Sequence, residues 1–158
     1  MLRLGRLTGL PVVHDGRTVG HVEQCVLTQD GKRLRGLTVR HGFGNAKWIP
    51  RSSIAVTGDV AVIVTHVPEK LPSGCDFALT TVFDTRGLPL GRITDVYVSR
   101  SALTVQALEV SLGPLETLRR GRYIVRSFSL ADAAEYPGAV LIPCGCSLER
   151  FSGNEVIQ

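Results

Sequence analysis

Residues 11–42 of this 158-residue chain can be laid on residues 82–113 without a gap. Gly16 then meets Gly87, Gly20 meets Gly91, Leu37 meets Leu108, Val39 meets Val110 and Gly42 meets Gly113. Between these identities, Val19, Val22, Cys25, Val26, Leu27 and Leu34 face Leu90, Ile93, Val96, Tyr97, Val98 and Val105. A β-ladder tolerates residue exchange far better than a slip of register, so shared spacing with shared apolar character points to two copies of one small β-unit. Past Gly42 and Gly113 the copies differ by an insertion and rejoin where residues 54–63 correspond to residues 128–142. Two copies are a duplication rather than a solenoid, which needs at least three repeats to bury a continuous core.

Each copy reads as strands. Turns are expected at Asp15-Gly16 and Arg86-Gly87, followed by β-branched runs that Gly20 and Gly91 interrupt, where a bulge is expected. Gln29-Asp30-Gly31-Lys32 carries a hairpin dipeptide, and residues 33–40 then alternate apolar and polar, turning Leu37 and Val39 inward. Helical pattern is confined to one turn at 51–54, after Pro50, and a second at 130–136, before Pro137. The expected architecture is all-β: a first barrel at 1–66, a proline-containing linker at 67–76, a second barrel at 77–143 and a tail at 144–158. Units of about 70 residues have little core each, so the two are expected to pack on one another in a pseudo-twofold arrangement.

The ordered succession Gly9 to Val12 (GLPV), Asp15 to Gly20 (DGRTVG), an apolar strand to Leu27, the Asp30-Gly31 hairpin, the strand Leu37 to Val39, Trp48-Ile49-Pro50 and Gly58 to Val64 (GDVAVIV) resembles the PRC-barrel family. The second copy is similar in the same order but more loosely, with Ile124-Val125 in place of the Ile-Pro step. The resemblance implies a docking or assembly module that works through protein contacts, sometimes near RNA. It implies no cofactor and no set of site residues.

The residues themselves agree in offering no active site. His14, His21, His41 and His66 fall at turns or strand ends, and nothing beside them would activate a nucleophile. No glycine pattern opens a helix as a phosphate loop requires. Cys144-Gly145-Cys146 suggests a thiol-based metal or redox site, but zinc sites space their cysteines more widely and need more ligands. Cys25 lies where the other copy has Val96 and reads as a small buried hydrophobe.

Charge is uneven: residues 1–71 hold ten Lys/Arg against five Asp/Glu, residues 72–158 eight against nine. Two basic clusters follow, Lys32, Arg33, Arg35 and Arg40 on one hairpin and Arg119, Arg120, Arg122 and Arg126 in the second copy. With Trp48 they are the candidate partner-binding residues. Arg33 and Arg35 are expected to share one face of their strand. The expected partner is an unidentified protein, with RNA or a ribonucleoprotein as the alternative that Arg-rich clusters keep open. No run approaches the roughly 20 apolar residues of a membrane helix, so a cytoplasmic chain without membrane insertion is expected, homo-oligomer or not.

Overall fold

The computed structural model describes residues 1–113, 121–132, 134–143 and 148–150. The first sheet is built from β2 (Pro11–His14), β3 (Arg17–Leu27), β4 (Leu34–Arg40), β5 (Lys47–Pro50), β6 (Ile54–Thr57), β7 (Val62–Val64) and β8 (Glu69–Lys70). Its spatial order is β6-β7-β2-β3-β4-β5-β8. The second uses β9 (Thr81–Asp84), β10 (Pro89–Val98), β11 (Val105–Ser111), β12 (Tyr123–Val125), β13 (Ser129–Leu130), β14 (Val140–Ile142) and β15 (Glu149–Arg150). Its order, β13-β14-β9-β10-β11-β12-β15, is the same. Both pair their first and sixth strands in parallel, β2 with β7 and β9 with β14, and both curl into half-barrels. The chain is all-β.

The long hairpins agree residue by residue. His21 faces Arg40 as Arg92 faces Ser111, and Cys25 faces Leu37 as Val96 faces Leu108. Both ladders slip at the same two places, after Val22 and Val26 in one and after Ile93 and Tyr97 in the other. The expected bulges beside Gly20 and Gly91 are present too. A Cβ on Gly91 would lie 2.4 Å from the Ser111 carbonyl oxygen, so only glycine lets the strands close there.

Ahead of the first turn the gapless correspondence fails. Val12 faces Gly20 while Val82 faces Gly91, so Val82 rather than Phe83 is the partner of Val12. The second hairpin holds one more residue because Asp84 organises its turn, accepting the amide N–H groups of Arg86 and Leu88 at 2.9 Å each.

The short 3-10 turn at Arg51–Ser53 lies where the sequence places one, and another occupies Leu4–Arg6. The helical turn expected at 130–136 is replaced by a hairpin. Leu130 pairs with Val140, and Ala131 donates its N–H to the Ala139 carbonyl at 2.8 Å. A one-turn helix gains too few hydrogen bonds to compete with that pairing.

The halves are joined at their hairpin roots. Arg33 bridges Thr104, Leu34 donates its N–H to the Leu103 carbonyl (2.9 Å) and Val105 donates to the Lys32 carbonyl (2.8 Å). Arg33 thus meets its own equivalent, Thr104, and the bond from Leu34 to Leu103 is mirrored by that from Val105 to Lys32, so the seam lies on a pseudo-twofold axis. Core residues of both sheets, among them Leu34, Leu37, Leu103 and Leu108, form one apolar cluster across it. Burial per residue rises with the size of a globule, and sharing one core is how two small sheets gain it.

Chain segments also cross in both directions. β1 (Leu2–Arg3) pairs with β10 of the second sheet, Leu2 opposite Val98 and Arg3 opposite Tyr97. In return, Cys75 from the proline-containing segment is buried beside Val26 and Trp48 of the first sheet. That segment also supplies β8, which extends the first sheet by pairing with β5.

A buried carboxylate holds the crossing at β1. Glu109, 1% exposed, accepts hydrogen bonds from Arg122 (2.7 Å), Thr94 (2.9 Å), the Tyr97 hydroxyl (3.0 Å) and Arg3 (3.3 Å). Arg3 also binds Asp95 at 2.6 Å, and Asp95 accepts the Gly5 N–H at 2.9 Å. Burial first, and Glu109 second, push the Tyr97 hydroxyl above its usual pKa, so it stays a donor. Thr38 holds the corresponding place in the first sheet, where no such charge is buried.

Volume is exchanged between the copies as well. A Cβ on Gly36 would stand 2.4 Å from the Trp48 ring and from the Ile49 carbonyl oxygen. The second sheet has Ala107 and Ile124 in these places, a larger residue on one strand and a smaller one on the next; Ile124-Val125 therefore answers Trp48-Ile49 and not, as the sequence suggested, the Ile-Pro step.

Gly36→Ala is expected to lower stability by about 1–3 kcal/mol through overpacking. Adding Trp48→Ile should restore part of that, read by thermal denaturation; no restoration would count against the ring as the cause. Glu109→Gln is expected to cost about 2–3 kcal/mol, since charge-assisted bonds from two arginines are weakened together. Trypsin should then cleave at Arg3 and Arg6 faster than in the parent protein.

Candidate functional site: the groove along the seam

The two basic clusters do not form two patches. Arg40 is turned to Glu23 (2.8 Å) and the Gly44 carbonyl (2.9 Å). Arg35 donates to the Gly74 carbonyl at 2.8 Å, with its guanidinium 5.6 Å from the centre of the Trp48 ring. Trp48 is 4% exposed, covered by Cys75 and Arg35. Its ring is therefore core, a role that sequence cannot tell from a surface anchor. Arg122 is the nearest partner of Glu109 and serves the latch just described. Arg119 and Arg120 lie outside the described residues, as do Cys144 and Cys146.

Arg33 and Arg35 do not act from one face of a strand, because Arg33 sits before β4 at the seam bridge. There the fold brings Lys32 and Arg33 of the first copy to Arg126 of the second. These three line a groove of about 690 Å³ whose apolar wall is Val105, Phe128 and Leu130. Arg126 has a loose surface partner in Glu149 at 3.4 Å, both side chains at least half exposed. Such a pair contributes little and leaves the guanidinium free to exchange partners. Asp30, also in the lining, is occupied: it accepts the Thr28 hydroxyl at 2.5 Å and the Lys32 N–H at 3.0 Å. The Thr28 bond, then the Lys32 amide, hold its carboxyl below the usual range, so it stays ionised.

Pseudo-symmetry gives this groove a mate, and the mate is closed. There Arg100 of the second copy reaches the edge strand β6, donating to the Thr57 carbonyl (3.1 Å) and to Asp59 (3.0 Å). Arg51 reaches back to the Ala102 carbonyl. On the open side the equivalents of Arg100 and Arg51 are Gln29 and Ser127. Among the described residues neither reaches across.

A second, smaller hollow of about 230 Å³ lies between residues 4–8 and the bulged parts of β3 and β10. Cys25 lines it, its thiol aimed at the Leu4 carbonyl at 3.7 Å. Burial, reinforced by the charge of Asp95, pushes this thiol up to about 12, so it behaves as the small hydrophobe that its place in the repeat suggests. No group of three or more His, Cys, Asp and Glu side chains is gathered for a metal among the described residues. None of their helices is long and apolar enough to cross a membrane.

A family model described as PRC-barrel domain matches residues 1–71. The chain's first 71 residues are a PRC-barrel domain. Its second half repeats that barrel's strand order and hairpin register, so the molecule is a tandem of PRC-like barrels. PRC-barrel domains are a family of protein-interaction modules. No curated protein matches the chain.

The raised Cys25 pKa has a readable consequence. Alkylation by iodoacetamide at pH 8 should be slower at Cys25 than at an ordinary thiol by about a thousandfold, following the thiolate fraction. Because the folded state holds this proton more tightly than the unfolded one, stability from this group is intact below about pH 9 and declines toward pH 12. Mass mapping of the alkylated cysteine and urea titrations across that range check both.

Proposed function

We propose that this protein is a non-enzymatic docking module, two PRC-like barrels descended from one by duplication, which holds another protein along the open seam groove. The observation that carries this reading is the inequality of the two seam rims. Arg51 and Arg100 close one with the chain's own hydrogen bonds, whereas the other presents Lys32, Arg33 and Arg126 around an apolar wall. Small-molecule sites place a few converging polar groups in a mostly apolar pocket, whereas here three cations and Asp30 stand around an apolar wall. An apolar floor with a charged rim is the anatomy of a protein interface. The family supports the same reading, since its members act through protein contacts.

The test is affinity capture from native extract on the parent protein and on a Lys32→Glu, Arg33→Glu, Arg126→Glu variant, each with and without ribonuclease. Protein partners held by the parent, insensitive to ribonuclease and lost in the variant are expected. Partners that disappear with ribonuclease would move the protein to the RNA-associated class, and capture unchanged in the variant would remove the groove from its function.

A further inference from the structure

We infer that the occupant of the seam groove is an extended, acidic segment of a partner protein that adds as a strand to the edge of β13 that no strand among the described residues covers. The inference rests on the docking reading above and names the chemistry of what docks.

The closed rim supplies the pattern. Val140 and Val62 occupy the same position, since they pair with Val82 and Val12, so Leu130 opposite Val140 corresponds to Thr57 opposite Val62. Arg100 donates to the Thr57 carbonyl from outside the sheet, which means this carbonyl points away from β7. Leu130 stands at the same point of an antiparallel pair. Ala131 donates to Ala139, so the residue before it turns its N–H and C=O outward, by the alternation of such ladders. Among the described residues β13 is the terminal strand of its sheet, and Ser129 and Leu130 line the groove. An edge with outward backbone groups is a template for one more strand.

Charge selects which strand. Lys32, Arg33 and Arg126 stand around the groove, and the closed rim uses Asp59 to meet the guanidinium of Arg100. A segment alternating carboxylate and apolar side chains would direct carboxylates to these cations and apolar groups to Val105, Phe128 and Leu130, because successive side chains of a strand face opposite ways. Nucleic acid fits less well. Asp30 holds a fixed negative charge in the lining, and among the described residues Phe128 is the one aromatic side chain in the groove wall on which a base could stack.

The probe is a fluorescein-labelled octapeptide alternating glutamate and valine, titrated against the full chain by anisotropy. Companion titrations use the same peptide with lysine in place of glutamate, the peptide with N-methylated valines, and decauridine RNA. Binding by the first peptide alone is expected, weakened about tenfold or more by Lys32→Glu with Arg126→Glu and unchanged by Arg17→Glu, which alters net charge at an exposed hairpin tip. Amide resonances of Ser129 and Leu130 in the parent protein should shift on binding, a readout independent of how the variants fold. Equal binding of the N-methylated peptide, unmoved Ser129 and Leu130 resonances, or displacement of the peptide by decauridine would each overturn the inference. If extract partners depend on the groove and the octapeptide does not bind, the acidic-strand inference falls while the docking reading stands.

Discussion

Everything else in this molecule depends on the backbone exchange at the seam, where Leu34 and Val105 each donate to a carbonyl of the opposite hairpin. Those two bonds fix the rotation between sheets that separately have too few residues for a self-sufficient core. Once the rotation is set, the apolar faces of β4 and β11 meet in one cluster and the crossing segments have fixed places to land. Leu2 then pairs opposite Val98, and Cys75 caps Val26 and Trp48. Each half therefore supplies a piece of the other's surface, and neither sheet has its full set of neighbours without its companion.

Polar groups follow the same logic with unequal results. The second half buries Glu109 and satisfies it from four side chains, two of them arginines from distant points in the chain. The first half places neutral Thr38 there and fills space with Trp48 over Gly36. Buried charge with several partners resists removal of any one of them, whereas a packed ring resists a change in volume. One backbone is thus held by directional bonds on one side and by shape on the other.

The long hairpins were legible because strand period, turn glycines and bulge glycines all act over a few residues. Leu37 and Val39 face inward as their alternation implies, and the slips after Val22 and Ile93 coincide because the same local pattern produces both. The extra residue in the β9–β10 turn was hidden because aligning Gly16 with Gly87 conceals a change just before them. Residues 130–136 have helix-forming composition, but pairing with residues 139–141 decides their structure. The site was less legible. Lys32 and Arg33 were visible as a cluster, yet only the seam brings Arg126 to them and leaves Arg35, Arg40 and Arg122 to internal partners. Glu109 left one sign, an acid between Leu108 and Val110 in an apolar run, and nothing nearby pointed to Arg3.

Joining two barrels in one chain removes a restriction that separate copies cannot escape. A pair of identical chains about a twofold axis must present every rim twice, so whatever fits one groove fits both. Here, among the described residues, the substitution of Gln29 for the equivalent of Arg100, and of Ser127 for that of Arg51, leaves one rim unbridged and the other closed on a pseudo-symmetric frame. In the docking reading proposed above, such a frame offers a guest one face and one orientation, and so has a back as well as a front.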